Sequence, residues 1–367
     1  MTTHSAKRIV IIGGGPAGYE AALVGARYGA DITLIEDNGL GGSAVIDDCV
    51  PSKSFIAGAN VKTDLRRAED MGLSMKLAED AAGAGSIRLV TALNSRVRQL
   101  AGKQSNDIYR SVERAGVRII AGRGTFDDYN LNQTVHYIRV EHANGTVETI
   151  ECDLVLVATG ASPRILPGAQ PDGERIVTWQ QIYNITELPE HLIVVGSGVT
   201  GAEFVSAFAE LGVKVTMVAS RDRILPHDDA DAADVLETVL TERGVSLVKH
   251  ARVDSVVRMD DEGVLVRTSD GREIRGSHAL MTVGSIPNTR NMGVESIGME
   301  TTPSGHIKVD RVSRTNVPGV YAAGDCTDLF PLASVAAMQG RIAMYHALGE
   351  GVSPLRLKTV ATAVFTR

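Results

Sequence analysis

The feature that most constrains the fold is a glycine-rich turn that occurs twice, 183 residues apart. Residues 13–18 (GGGPAG) and 196–201 (GSGVTG) each follow a short apolar strand and precede a helical pattern. A G-x-G-x-x-G turn in this context is the fingerprint of a Rossmann unit, because its glycines let the backbone approach a pyrophosphate at the helix N-terminus. The chain is predicted to be an α/β protein with two Rossmann-like dinucleotide-binding domains. The predicted pyrophosphate-binding residues are Gly13, Gly15, Pro16, Ala17 and Gly18 in the first copy and Gly196, Gly198 and Gly201 in the second.

The residue expected to bind the adenosine ribose differs between the two copies. Glu36 lies 23 residues after the first glycine of its turn, where a carboxylate accepts hydrogen bonds from ribose. The same count in the second copy reaches Ala219, and Arg221 and Arg223 follow it. Loss of the carboxylate removes repulsion against a 2′-phosphate, and arginine can bind phosphate through two parallel hydrogen bonds. The second site is therefore predicted to accept NADPH. Use of NADH stays open, as does the alternative that the two arginines are solvated loop charges.

Composition excludes several other classes of protein. The net charge of −7 argues against non-specific nucleic-acid binding, and no apolar run reaches the length of a membrane span. The N-terminus lacks the apolar core of a signal peptide, and three cysteines without a framework spacing fit a reducing cytoplasm. The nine histidines show no metal-ligand spacing. We expect a cytoplasmic protein with no nucleic-acid partner, no membrane span and no metal.

The segment from Gly41 to Lys53 reads GGSAVIDDCVPSK and resembles the active-site stretch of the flavoprotein disulfide reductases. That family includes lipoamide dehydrogenase, glutathione reductase and mercuric reductase, and its pattern is Gly-Gly-x-Cys-x-x-x-x-Cys-x-Pro-Ser-Lys. Every fixed position matches except Ala44, which replaces the first cysteine. A dithiol–disulfide relay needs two sulfurs, because a second thiolate resolves the mixed disulfide that the first one forms. The chain is therefore predicted not to reduce disulfides by the usual route.

The resemblance extends over the whole chain and implies its domain order. It implies that the N-terminal glycine turn binds FAD and that a nicotinamide-binding domain is inserted into the FAD-binding domain. The implied domains are 1–165 (FAD, first part), 166–282 (NAD(P)), 283–355 (FAD and central, second part) and 356–367, the start of a C-terminal interface domain that is otherwise missing. A homodimer is expected only if that interface domain is present. The further cofactor-binding residues that the resemblance implies are Gly42, Ser43, Thr159, Gly160, Gly284, Gly324, Asp325 and Ala333.

The resemblance also implies a reacting centre of three residues. Lys53 is expected to approach the N5 edge of the flavin and to pair with Glu203, just after the second glycine turn. The alternative for Lys53 is an ordinary surface lysine. Cys49 corresponds to the cysteine that packs against the flavin, either as a thiolate that donates charge to FAD or as an inert relic. Asp47 and Asp48 either tune the site for a different oxidant or begin a helix predicted over 54–67.

Several functions remain open at this stage. The preferred hypothesis is an FAD-dependent NAD(P)H oxidoreductase that passes hydride through flavin directly to a quinone, since the segment is similar to that of lipoamide-dehydrogenase-like quinone reductases with Gly-Gly-x-Ala. A pyridine nucleotide transhydrogenase is an alternative, although such relatives lose the second cysteine and keep the first. A lipoamide-dehydrogenase-like diaphorase is a further alternative, whereas lipoamide or glutathione reduction would need a sulfur that Ala44 lacks. The non-enzymatic alternative is a flavin-binding interaction protein.

Overall fold

A computed structural model describes residues 6–73, 84–127, 135–260 and 263–367 of the chain, and these fall into two compact units. The first unit comprises Met1–Ile46, Ala101–Ser162 and Ile286–Ala361. The second unit comprises Asp47–Leu100, Pro163–Ser285 and Thr362–Arg367. Residues 47–100, assigned by resemblance to the FAD-binding domain, thus pack with the second unit. The cofactor-domain limits of the sequence analysis stay predictions.

The two units contain the following regular elements. The strands are β1 (Arg8–Ile12), β2 (Asp31–Glu36), β3 (Arg118–Ala121), β4 (Arg123–Phe126), β5 (His136–Glu141), β6 (Val147–Cys152), β7 (Leu154–Val157), β8 (Ala161–Pro163), β9 (Ile176–Thr178), β10 (His191–Val195), β11 (Lys214–Val218), β12 (Ser246–Val248), β13 (Val253–Met259), β14 (Gly263–Thr268), β15 (Glu273–Gly276), β16 (His278–Met281), β17 (Ser285–Pro287) and β18 (Val320–Ala322). The α-helices are α1 (Pro16–Arg27), α2 (Gly42–Ile46), α3 (Cys49–Asp70), α4 (Ala84–Arg114), α5 (Val199–Glu210), α6 (Ala230–Glu242) and α7 (Ala333–Ala347). Short 3-10 helices span Ile182–Asn184 and Leu357–Thr359.

The first unit is built on a five-stranded parallel sheet with the strand order β18-β7-β1-β2-β3. Strand β1 is central, and its residues Ile9–Ile12 are buried because the sheet is covered on both faces. Helix α1 begins at Pro16, immediately after the first glycine turn. Proline suits the first turn of a helix because its missing N–H would have no intrahelical partner there. The turn therefore lies at the carboxyl edge of the sheet, where α/β proteins bind ligands.

The second unit repeats this plan with the strand order β12-β11-β10-β16-β9. Strand β10 is central, and helix α5 begins at Val199 after the second glycine turn. Helix α3 packs against α5 across a cluster of aromatic rings. The rings belong to Phe55, Tyr183, Phe204 and Phe208. This packing brings the residues that follow Cys49 on α3 next to the first turns of α5.

Helix α3 differs from its predicted extent. It was predicted over 54–67, whereas it begins at Cys49 and ends at Asp70. The sequence pattern suggested a later start because proline usually interrupts a helix. Pro51 lies in the first turn of α3, where its missing N–H and fixed φ are tolerated, so the helix starts five residues earlier. The consequence is that Cys49 and Lys53 lie on one continuous helix.

Two glycines of the second turn differ in the space around them, and this generates a stability prediction. A Cβ at Gly201 would lie 2.2 Å from the carbonyl oxygen of Gly196, whereas a Cβ at Gly198 would have no atom within 4 Å. We expect Gly201→Ala to lower the free energy of unfolding by about 1–3 kcal/mol through overpacking. Gly198→Ala is the matched control and should change it by no more than about 0.5 kcal/mol. Urea denaturation of both variants measures this, and equal stability of the two would contradict the steric account.

Candidate cofactor sites and active-site pair

The first glycine turn is packed at its two ends and open in the middle. Gly13 has φ +106, and a Cβ there would lie 2.3 Å from the carbonyl oxygen of Ala158. A Cβ at Gly18 would lie 1.8 Å from the carbonyl oxygen of Gly13. The first turn of helix α1 therefore packs directly against the backbone at the end of β1. At Gly15 the nearest atom to such a Cβ is 3.9 Å away. Sterically restricted ends and an accessible middle backbone fit a turn that binds a pyrophosphate at the N-terminus of α1.

Glu36 is held facing this turn. Its Oε2 accepts a hydrogen bond of 2.5 Å from the N–H of Gly14, and its Oε1 accepts one of 2.7 Å from the N–H of Asn38. Burial raises the pKa of the Glu36 carboxyl, while these two backbone donors act in the opposite direction. A carboxylate oriented by backbone donors beside the pyrophosphate turn fits an adenosine ribose without a 2′-phosphate.

The other residues predicted to bind FAD lie on three segments of the first unit. Asn288 connects to the segment after β7, since its Nδ2 donates to the carbonyl of Thr159 at 3.0 Å and its backbone N–H donates to the carbonyl of Gly160 at 3.0 Å. The N–H of Gly324 donates to Gln339 Oε1 at 2.9 Å, and Asp325 beside it is half-buried. The remaining three are Gly42 and Ser43 at the start of α2 and Ala333 at the start of α7.

The second glycine turn repeats the steric pattern of the first. Gly196 has φ +118, and a Cβ there would lie 2.3 Å from the carbonyl oxygen of Thr282. Gly198 is the open middle position, and Gly284 likewise has no atom within 4 Å of an added Cβ. The same local sequence thus produces the same backbone space in both units. Each turn fits one dinucleotide.

The loop after β11 contains the residues predicted for the second ribose position. Ala219 offers no carboxylate, and its carbonyl accepts the N–H of Ala251 at 2.8 Å. Arg221 is exposed. Arg223 Nε is buried and makes no hydrogen bond to any residue that the structure describes, with Asp222 at 3.8 Å. A buried guanidinium donor that makes no hydrogen bond fits an anionic ligand such as a 2′-phosphate.

Lys53 and Glu203 form a close ion pair that joins α3 to α5. Lys53 Nζ lies 2.8 Å from Glu203 Oε2; the side chain of Glu203 is 3% exposed and that of Lys53 is 33% exposed. The other carboxylate oxygen, Oε1, accepts the backbone N–H of Phe365 at 3.1 Å. The Phe365 ring lies under the lysine, with Nζ 5.4 Å from its centroid. Both oxygens of the buried carboxylate therefore have donors, as a buried charge requires.

The contribution of Phe365 is the part of this pair that the sequence did not predict. Lys53 and Glu203 were paired on the family motif, but Phe365 lies 162 residues after Glu203 in the chain. A backbone N–H leaves no residue-type signal, because every residue except proline carries one. No sequence feature could have identified it.

The three cysteines lie in different environments. Cys152 and Cys326 are fully buried. Burial raises the pKa of Cys152 to about 12 and that of Cys326 to about 11, which makes both unreactive. Cys49 is half-buried and begins α3. Ala44 lies in the short helix α2.

Comparison with known proteins identifies the family. Residues 7–340 match the family described as pyridine nucleotide-disulphide oxidoreductase, and the chain belongs to it. A curated relative from Mycobacterium tuberculosis H37Rv, named NAD(P)H dehydrogenase (quinone), is 58% identical over 98% of this chain and 72% of its own length. A dihydrolipoyl dehydrogenase from Bacillus subtilis is 31% identical over 98% of this chain and 75% of that protein.

Solved structures agree with this assignment. The crystal structure of LpdA from Mycobacterium tuberculosis matches with a TM-score of 0.92 at 56% identity, covering 98% of this chain and 76% of that one. The disulfide reductase RclA from Escherichia coli matches with a TM-score of 0.78 at 24% identity, which shows the fold alone. The predicted α/β fold with Rossmann-like dinucleotide-binding domains is confirmed, and so is the resemblance read from residues 41–53. The chain is an oxidoreductase of a family that uses FAD and NAD(P)H.

Two features of the described residues bear on partners and metals. None of the helices in 6–73, 84–127, 135–260 and 263–367 is long and apolar enough to cross a membrane. Within the same ranges no group of three or more histidine, cysteine or acidic side chains is placed to hold a metal ion.

The Lys53–Glu203 pair generates a stability prediction. Lys53→Met would leave one oxygen of the buried Glu203 carboxylate without its cation. We expect the free energy of unfolding to fall by about 3 kcal/mol. This is the lower end of the range for a broken buried ion pair, because the side chain of Lys53 is 33% exposed. The double variant Lys53→Met with Glu203→Gln should recover part of this loss. Lys308→Met is the matched control, because Lys308 and Glu300 form a pair of 3.4 Å with both side chains more than half exposed. Guanidinium unfolding measures all three, and equal losses for Lys53→Met and Lys308→Met would contradict the account.

Proposed function

We propose that this protein is an FAD-dependent NAD(P)H oxidoreductase that passes hydride from nicotinamide through flavin directly to a quinone-type acceptor, without a disulfide relay. The observation that carries the proposal is Ala44 in the place of the first redox cysteine, together with an intact Lys53–Glu203 pair. A hydride acceptor needs no second sulfur, whereas a disulfide substrate does. The name of the 58% identical relative, NAD(P)H dehydrogenase (quinone), supports the same acceptor class.

Three residues of the chain have separate roles in the proposed reaction. The flavin, when bound, accepts a hydride from the nicotinamide and delivers two electrons to the acceptor. Lys53 supplies a positive charge that stabilises negative charge developing at the reacting centre. Glu203 orients that ammonium and is itself fixed by the backbone N–H of Phe365. Cys49, without a partner sulfur at position 44, acts as an electrostatic neighbour of the cofactor rather than as a redox group.

The same residues weigh against the other functions. A transhydrogenase remains the second enzymatic candidate, since it too would use both nucleotide sites without a disulfide. Lipoamide reduction would require a resolving thiol, and the other two cysteines are buried with raised pKa values. A flavin-binding interaction protein without catalytic activity would have no need for the Lys53–Glu203 ion pair. The proposal also includes a location in the cytoplasm, and a homodimer only if a C-terminal interface domain is present.

The residues at the second ribose position favour NADPH over NADH in this proposal. Ala219 removes the carboxylate that would repel a 2′-phosphate, and the buried Nε of Arg223, which makes no hydrogen bond within the described residues, would bind one. Arg221 is exposed on the same loop and would add a second cation.

Substitution of these arginines tests the nucleotide preference. We expect Arg223→Ala to raise the KM for NADPH roughly ten- to a hundredfold, the value of a hydrogen bond to a charged group, and to leave the KM for NADH unchanged. Arg221→Ala should act in the same direction. Arg267→Ala is the control, because Arg267 is bound to Glu273 at 2.9 Å in the antiparallel sheet β13-β14-β15. Parallel losses with both nucleotides would mean that the arginines are not phosphate ligands.

Acceptor assays test the proposed reaction. The full-length chain should oxidise NADPH with a naphthoquinone and give no appreciable turnover with oxidised lipoamide, because Ala44 supplies no sulfur. In Ala44→Cys we expect two thiols to become titratable after reduction by NADPH, which Ala44→Ser should not show. Appreciable lipoamide turnover by the unmutated protein would refute direct transfer from flavin to acceptor. Absence of flavin reduction by NADPH would revive the non-enzymatic alternative.

A further inference from the structure

The loop that follows β11 and carries Arg221 and Arg223 is fixed through its backbone by neighbouring segments of the second unit. The carbonyl of Arg221 accepts the N–H of His250 at 3.1 Å. The carbonyl of Arg223 accepts a hydrogen bond of 3.3 Å from the hydroxyl of Ser197. The N–H of Leu225 donates to the carbonyl of Ser197 at 2.8 Å. Ser197 belongs to the second glycine turn, so the turn predicted to bind the pyrophosphate also holds this loop.

The backbone of Leu225 indicates that the contacts of the loop impose its conformation. Its φ of +48 lies in the left-handed region, which favours glycine because a Cβ is crowded there. A leucine keeps such a conformation only where the surrounding structure over-determines it. Here the side chain is 7% exposed in the apolar core of the unit, and the carbonyl of Leu225 accepts the N–H of Asp228 at 3.0 Å.

Glu237 on α6 adds the one contact to this loop that comes from a charged side chain within the described residues. Its Oε1 accepts the N–H of Ile224, the residue directly after Arg223, at 2.9 Å. Its Oε2 lies 2.5 Å from Lys249 Nζ, and the Glu237 side chain is 14% exposed. A carboxylate is a stronger acceptor for a backbone N–H than a neutral oxygen is. Glu237 therefore anchors the loop to α6 at the position next to Arg223.

This anchor has a physical consequence for an anion that binds Arg223. An arginine side chain loses conformational freedom when it binds a phosphate, and a backbone that is already fixed lowers the entropy that binding must remove. A bare carboxylate so close to the guanidinium would repel the same phosphate. Lys249 neutralises Glu237 by direct contact, so the anchor does not oppose an anionic ligand.

We propose that Glu237 is a positioning residue for NADPH, which fixes the backbone beside Arg223 so that the guanidinium meets the 2′-phosphate, while Lys249 neutralises its charge. This inference rests on the NADPH preference within the proposed function. Glu237 acts through Arg223 and takes no part in hydride transfer. A nucleotide without a 2′-phosphate makes no use of Arg223, so its affinity should not depend on Glu237.

Binding of NADP⁺ and NAD⁺ to the oxidised full-length holoenzyme, measured by isothermal titration calorimetry, tests this role without turnover. Glu237→Ala removes the acceptor for the Ile224 N–H, so we expect the Kd for NADP⁺ to rise roughly tenfold and that for NAD⁺ to stay within about twofold. Glu237→Gln keeps an acceptor oxygen and should bind NADP⁺ severalfold more tightly than Glu237→Ala. Glu242→Ala, at the exposed end of α6, is the matched control and should change neither affinity.

A second pair of variants tests the charge of Lys249. Lys249→Met leaves the Glu237 carboxylate uncompensated near Arg223, so NADP⁺ binding should weaken severalfold while NAD⁺ binding stays unchanged. The double variant Lys249→Met with Glu237→Gln removes that carboxylate and should recover the NADP⁺ affinity. A double variant as weak as Lys249→Met would contradict the neutralising role.

The outcomes separate this inference from the proposed function. Equal losses of NADP⁺ and NAD⁺ affinity in Glu237→Ala would mean that Glu237 supports the domain as a whole, and would overturn the positioning role. If Arg223→Ala weakens NADP⁺ binding and Glu237→Ala does not, this inference alone fails. If Arg223→Ala leaves NADP⁺ binding unchanged, the proposed NADPH preference is wrong and the role of Glu237 falls with it.

Discussion

The chemistry of the second unit depends on the ion pair between Lys53 and Glu203. A carboxylate that is 97% buried is strongly destabilising unless donors surround it, and Glu203 has donors at both oxygens. One donor comes from α3 and the other from the backbone at Phe365, so the charge can be buried only when three distant segments pack together. The aromatic cluster of Phe55, Phe204 and their neighbours provides the apolar packing that holds α3 and α5 in contact. The charge pair and the apolar cluster therefore depend on each other.

Lys53 interacts with two acidic neighbours. It contacts Glu203 directly at 2.8 Å, and its positive charge also lowers the pKa of Asp48, which burial and the charge of Glu203 raise. In the proposed mechanism the dithiol relay of the family is replaced by direct transfer from flavin to the acceptor, because position 44 carries no sulfur.

Much of the fold was predictable from local sequence, and the reason is steric. The turns at 13–18 and 196–201 have conformations in which a side chain would collide with backbone, so glycine at these positions signals the turn directly. The apolar strand predicted before each turn and the helix predicted after it are both present, as β1 and α1 at the first turn and as β10 and α5 at the second. The start of α3 was predicted five residues too late, because Pro51 is tolerated in the first turn of a helix. Its packing with the second unit could not be predicted, since it depends on contacts between segments far apart in the chain.

The sequence by itself determined the two dinucleotide turns, the carboxylate at Glu36 and its absence at Ala219, and the missing sulfur at Ala44. These are matters of residue type at a position, which requires no knowledge of distant contacts. The tertiary structure alone decided that the N–H of Phe365 is the second donor to Glu203 and that Tyr183 is buried against Phe55 and Phe204. The physical reason is that hydrogen bonding and desolvation depend on which groups the folded chain brings within a few ångströms, and residues separated by more than a hundred positions carry no local record of that proximity.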